Sequence, residues 1–293
     1  MKNKKISLVF FGTSTFSVHL LEKLQKGGYI PKCIVTTPDK PQGRKLIPAP
    51  SPVKVWAHER HIPLLQPEVL DDDFISRLRE KVYDVFIVAS YGKIIPKEII
   101  ALPHYGILNV HPSLLPLYRG ASPLQYQIRD NAEYVGVTIM LMDEKMDHGP
   151  ILAQETLHMP KTEKHSVPTS RELSELLAKK GGDLLLETIP QWTEKAITPQ
   201  EQDHKHASYT KRIEKKDAEI SLKENPLLNY RKIRAFIPAP VAYYFHDTLR
   251  GKIRVKITDA TLINGELHIK RVIPEGKQEM DYEDFLRGVQ SMP

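Results

Sequence analysis

The stretch Gly106–Pro123, GILNVHPSLLPLYRGASP, decides how this chain is read. Ile107, Leu108 and Val110 form a short apolar run, long enough for a buried strand. Side chains two apart share a strand face, so Asn109 and His111 point one way while Leu108 and Val110 point the other. Pro112 cannot continue a ladder and holds His111 in extended geometry, so the strand stops there and turns into a loop carrying Ser113, Pro116 and Gly120. Two polar side chains therefore meet at a strand's end, where open α/β sheets keep their ligands. After a second apolar run, Val135–Met142, comes the acidic loop DEKMDHGP from Asp143 to Pro150. The Asn109 amide, the His111 imidazole and a carboxylate of that loop can then converge at neighbouring strand ends.

Working outward, Ile6–Phe11 is a β-branched and aromatic run, and residues 16–26 carry Val18, Leu21 and Leu24 at helical spacing before Gly27-Gly28. This is a β-turn-α unit. Its turn, Gly12-Thr13-Ser14-Thr15, lacks the GxGxxG pattern, which favours a Rossmann-like topology and rejects a dinucleotide-binding dehydrogenase. Further strands are predicted at Pro31–Thr37, Asp84–Ser90 and Ile151–His158, and helices at 52–61, 71–82, 96–102, 122–131 and 169–187. Residues 62–67 are too rich in proline for more than a short edge strand. The fold class expected is α/β, with a mostly parallel sheet. Residues 1–189 form the first domain, the polar and aperiodic segment 190–208 a linker, and 209–293 a second, smaller domain.

Two places concentrate positive charge. Residues 38–52 read as an irregular, proline-stiffened loop that holds Lys40, Arg44 and Lys45 around Gly43. Such a loop suits a nucleic-acid groove, and a solvated surface loop reads the same way. In the second domain, after a helix at 226–236 bearing Arg231, Lys232 and Arg234, the strand 251–257 alternates Lys252, Arg254 and Lys256 with Ile253, Val255 and Ile257. One face is cationic, fit either to track phosphates or simply to face water. The net charge of +6 permits a polyanionic partner without demanding one.

The basic and apolar opening, Met1–Phe11, is too short for a signal peptide and has no small-residue cleavage site after it. With a single cysteine, Cys33, in an apolar run, a cytoplasmic protein with no membrane association is expected. The pair His204 and His206 has no partner set at metal-ligand spacing, so no metal is expected.

The order Asn109-Val110-His111-Pro112-Ser113-Leu114-Leu115-Pro116, then Tyr118-Arg119-Gly120-Ala121 and Asp147-His148-Gly149, resembles the folate-dependent formyltransferases. Pro38-Asp39-Lys40-Pro41-Gln42-Gly43-Arg44, Ser51-Pro52-Val53-Lys54, Ile233-Arg234-Ala235-Phe236 and the closing Pro274-Glu275-Gly276-Lys277 are similar, within that superfamily, to the methionyl-tRNA formyltransferase family. The resemblance covers nearly the whole chain. It implies the formyltransferase fold followed by a small OB-like β-barrel, shortened here because only one hairpin fits around Asn264-Gly265. It implies 10-formyltetrahydrofolate as co-substrate and initiator methionyl-tRNA as partner, with Asn109, His111 and Asp147 catalytic. Ser113, Leu114, Leu115 and Pro116, with Tyr91 and Gly92, would border the folate, and the Arg44 loop would probe the tRNA acceptor end. The loop is shorter after Arg44 than the family pattern. A sugar-nucleotide N-formyltransferase would share the catalytic three, and a non-catalytic RNA-binding relative would share the fold.

Overall fold

The structure, a computed structural model, describes residues 6–42, 47–161, 167–248 and 251–290. The basic opening Met1–Lys5 and two of the expected loop cations, Arg44 and Lys45, lie outside the described residues.

The chain begins as expected: β1 (Leu8–Gly12), α1 (Thr15–Lys26) and β2 (Cys33–Val35), with both strands buried throughout. The loop expected as irregular instead contains a small ladder, β3 (Lys40–Gln42) against β4 (Ile47–Ala49). Pro41 faces Pro48, and neither has an N–H to offer. That position therefore falls on a non-hydrogen-bonded pair, and the prolines that read as breakers are tolerated. Ser51 caps α2 (Pro52–Glu59) by accepting from the Lys54 amide, with Pro52 pre-set for the first turn.

Next come β5 (Leu64–Leu65), α3 (Asp72–Arg79), β6 (Val85–Ala89), α4 (Lys97–Ile100) and β7 (Ile107–His111). Then follow β8 (Arg119–Gly120), α5 (Pro123–Arg129), β9 (Tyr134–Leu141) and β10 (Ile151–His158). The main sheet runs β10-β9-β7-β6-β1-β2-β5. Strands β7 to β5 pair in parallel, while β9 joins β7 antiparallel. The order reverses at β1, between β6 and β2, a topological switch point.

One sheet face presents Val9, Phe11, Phe86, Val88 and Ile107 to Phe74, Ile75 and Leu78 of α3. The register sets Asn109 beside Val88, so Asn109 and His111 continue this face. They are its polar end. The opposite face meets α6 (Ser170–Thr193), which runs past the predicted end at Glu187 and through Pro190. Its glycines allow the approach: a Cβ at Gly181 would crowd Val137 and Val110, and one at Gly182 would strike Lys23 of α1.

Two compact units result, and they interleave along the sequence: residues 1–120, 136–156 and 175–209, and residues 121–135, 157–174 and 210–293. The segment 190–208, expected as a linker, starts inside α6; Gln200 then bridges to Ile151, and Gln202 is buried.

The second unit contains α7 (Pro226–Ala235), after a two-residue strand β11 (Tyr209–Thr210) that begins in the first. An antiparallel sheet of four strands follows: β12 (Tyr243–Thr248), β13 (Gly251–Ile263), β14 (Glu266–Pro274) and β15 (Met280–Asp281), ending in α8 (Tyr282–Gln290). This fits a small barrel-like domain. The turn at Asn264-Gly265, both at positive φ, closes the β13–β14 hairpin where expected.

Arg234, read as one of three helix cations, has its side chain buried, donating to the Val167 carbonyl and pairing with Glu172 at 3.0 Å. It is a structural strut inside the unit rather than a surface charge.

Candidate active site

Strand β7 brings Asn109 and His111 onto one face, and the loop after β9 delivers Asp147 to both. Asn109 Nδ2 donates to Asp147 Oδ1 at 3.3 Å, and His111 Nδ1 lies 3.6 Å from the same oxygen. Asp147 Oδ2 accepts from the Gly120 amide at 2.7 Å. The other ring nitrogen, His111 Nε2, is 3.1 Å from the Tyr118 carbonyl. A carbonyl only accepts, so Nε2 carries the hydrogen, and a second proton on the ring goes to Nδ1, against the carboxylate. Only 6% of the His111 side chain and 14% of the Asp147 side chain remain exposed, so these contacts form largely out of water.

The backbone around this point is unusual. Ser90, Tyr118 and Asp147 all have positive φ without being glycine. Such conformations cost about 1–3 kcal/mol each and persist where surroundings over-determine them. Gly149, two residues after Asp147, has a local reason: an added Cβ would run into the Leu141 carbonyl at the end of β9. His148 turns away from the three, with Nδ1 2.6 Å from Asp143 Oδ2 and its ring stacked on His204.

Residues 113–116 are tied down by backbone contacts. Thr138 Oγ1 donates to the Ser113 carbonyl and accepts from the Leu115 amide, and Gln154 Nε2 donates to the Leu115 carbonyl. The Ser113 and Leu115 side chains are buried, Ser113 Oγ donating to the Leu117 carbonyl. Tyr91 is likewise a core residue, its ring edge-on to Phe11, with burial pushing its hydroxyl up to about 12. What these positions offer a ligand is main chain: the Tyr91 carbonyl, held by Thr13 Oγ1 at 3.2 Å, and Gly92, where an added Cβ would meet nothing.

Of the expected nucleic-acid residues, Lys40 is exposed on β3, next to Asp39. Asp39 receives Lys54 Nζ at 2.8 Å and Gln66 Nε2 at 2.9 Å, which hold its carboxyl below the usual range and anchor the base of the loop. This contact joins the PDKP and SPVK pieces. In the second unit, β12 faces β13 in the register Tyr243–Lys256, Phe245–Arg254 and Asp247–Lys252. The three cations therefore share a face with two aromatics, Arg254 lying 5.6 Å from the Tyr243 ring centroid, while Val255 and Ile257 are buried opposite.

Sequence reasoning missed Gln202 and the Arg119 side chain. Arg119, 1% exposed, donates through Nε and Nη2 to Gln202 Oε1, at 3.1 and 2.6 Å, and is within hydrogen-bond distance of His204 Nδ1 and Tyr209 Oη. Gln202 Nε2 donates to the Asp147 and Gly149 carbonyls at 2.9 and 2.7 Å. Nothing in an aperiodic polar segment signals a buried glutamine. Among the described residues no group of three or more His, Cys, Asp or Glu is arranged to hold a metal, and no helix is long and apolar enough to cross a membrane.

Comparison with known proteins places this geometry in a family. The formyl transferase model (Formyl_trans_N) matches residues 4–189. The methionyl-tRNA formyltransferase of Bacillus licheniformis is 36% identical, with 96% of this chain and 94% of that protein covered. That of Chloroflexus aurantiacus is 40% identical over 81% of this chain and 76% of its own. Among solved structures, the methionyl-tRNA formyltransferase from Clostridium thermocellum superposes with a TM-score of 0.60 at 17% identity, covering 94% of this chain and 99% of that one. An N-formyltransferase from Helicobacter canadensis, solved with folinic acid and dTDP-3-aminofucose, gives 0.65 at 20% identity, covering 88% of each chain. These structures share the fold, and the near full-length sequence identity narrows the kinship: the chain belongs to the methionyl-tRNA formyltransferase family.

Proposed function

We propose that this protein is a cytoplasmic enzyme moving the formyl group of 10-formyltetrahydrofolate to the α-amine of methionine on initiator tRNA. Catalysis belongs to the unit that holds Asn109, His111 and Asp147, and tRNA contact to the 38–52 loop and to 209–293. The carrying observation is the convergence of Asn109 and His111 on one oxygen of Asp147.

The amine nitrogen attacks the formyl carbon, a tetrahedral intermediate forms, and the bond to the folate nitrogen breaks as that nitrogen takes up a proton. An amide carries two hydrogens and Asn109 uses one on Asp147, leaving the other for the developing oxyanion. Asp147 keeps Asn109 and His111 oriented and accepts or relays the proton that the amine loses. The α-amine has an ordinary pKa of about 7.7–8.0, and esterification lowers it, so much of the nucleophile is neutral near pH 7 without an enzyme base of high strength.

Folate would sit beside the C-terminal ends of β6 and β7, against the main chain of Tyr91, Gly92 and residues 113–116, of which Leu114 and Pro116 are half-buried. Lys40, Arg44 and Lys45 would meet the acceptor end, and Lys252, Arg254 and Lys256, interleaved with Tyr243 and Phe245, would track backbone and unpaired bases.

Formyl transfer assayed with purified protein, 10-formyltetrahydrofolate and either methionyl-tRNA or an amino-sugar nucleotide tests this. Product on methionyl-tRNA alone is expected. Product only on the sugar nucleotide would replace the proposal.

A further inference from the structure

We infer that Gln202, backed by Arg119, is a positioning residue that sets Asp147 against Asn109 and His111. This rests on the catalytic reading of Asp147 given above.

Gln202 is 4% exposed and its amide is filled on every valence: its oxygen accepts twice from the Arg119 guanidinium, and its nitrogen donates to the carbonyls of Asp147 and Gly149. That assignment has no alternative. A guanidinium has only donors and a carbonyl only acceptors, so turning the amide over would set N–H against N–H on one side and oxygen against two oxygens on the other. The group thus reads both sides at once. The residue it grips is in the left-handed region, φ +50°, a conformation that persists where the surroundings over-determine it.

The other jaw of the clamp is the main chain beside Arg119. Gly120 N donates to Asp147 Oδ2, while the Arg119 amide donates to the Ser208 carbonyl at 2.9 Å. Ser208 Oγ in turn accepts from Tyr118 N, and the Tyr118 carbonyl faces His111 Nε2. Residues 202–208 therefore hold the backbone of both loops that carry the acid and orient the imidazole. Loss of Gln202 leaves a buried guanidinium and two carbonyls short of partners, which the Asp147 loop would relieve by shifting. The catalytic groups keep their identity and lose their distances.

The test uses the full chain with Gln202→Leu, which keeps bulk, and Gln202→Glu, which keeps an acceptor for Arg119 but loses the donor. Displacement of a reacting group by about 1 Å lowers turnover on the order of 100-fold, so both variants are expected to lose kcat on that scale, with KM for folate and tRNA little changed. Gln202→Glu guards against a folding failure in Gln202→Leu, because its ion pair with Arg119 preserves the buried partner. The same changes are then made on Asp147→Asn. If Gln202 acts through Asp147, they add little there. An equal loss in both backgrounds, or a rise in KM with kcat intact, overturns the inference. Normal turnover in Asp147→Asn alone strikes instead at the catalytic reading, so the two failures are told apart.

Discussion

Polar groups are handled in opposite ways at the end of β7 and on the face of β12 and β13. Asn109, His111 and Asp147 are nearly buried and bound to one another, and Asp147 is held by partners up to 55 residues away in sequence. Lys252, by contrast, has 70% of its side chain exposed and reaches Asp247 only at 4.0 Å. A reaction centre needs donors fixed where charge will develop, and in a water-poor site each is worth a great deal. A grip on a polyanion needs only charge of one sign along a surface, each contact being small and screened by salt. The contrast teaches where single substitutions will matter.

The largest effect is expected at the buried end. Asp147→Ala and Asn109→Ala should each lower kcat by about a thousandfold in the formyl transfer assay, run at a temperature where both variants remain folded. Near-normal turnover in either would break the contrast at its stronger side. Arg234→Met comes next and sharpens it from the second unit, where a buried cation serves the scaffold. Stability measured by urea unfolding should fall by about 2 kcal/mol, discounted because Glu172 is half-exposed, while tRNA binding keeps its salt slope.

The triple change of Lys252, Arg254 and Lys256 to Ala should do the reverse. It should leave stability alone and flatten the log–log salt dependence of tRNA binding by about 2 to 3, at 0.7–0.9 per phosphate contact. An unchanged slope would remove this face from the tRNA reading. The smallest effect belongs to Cys33, whose thiol burial pushes up to about 11. Its folded value lies above its unfolded one, so its contribution is complete below the ordinary thiol value of about 8.5 and is lost as pH rises toward 11. Cys33→Ala should flatten the stability profile in that window only, and native Cys33 should resist alkylation at pH 8.

Much of this was legible from residue order. The alternation at 106–111 placed Asn109 and His111 on one face, and Pro112 ended the strand. Strand β13 kept its cations on the side opposite Val255 and Ile257. Other signals misled because tertiary packing overrode them. Pro190 reads as the end of a helix, yet α6 continues to Thr193, where Trp192 Nε1 donates to the Tyr105 carbonyl. Pro41 and Pro48 read as breakers and pair with each other.

Sequence by itself determined the α/β architecture, the mostly parallel sheet and the pair Asn109 and His111 at its polar end, because strand period, proline and glycine act locally and leave their mark on neighbours in the chain. The tertiary structure alone decided which polar side chains serve as struts. Arg234 looks like Arg231 and Lys232 in sequence and differs from them by Val167 and Glu172, 67 and 62 residues away. Gln202 lies in a segment without period, and only the return of that segment over the loops of β7 and β9 gives its amide four hydrogen bonds. Burial and hydrogen-bond satisfaction are properties of contacts between distant residues, and no local pattern encodes them.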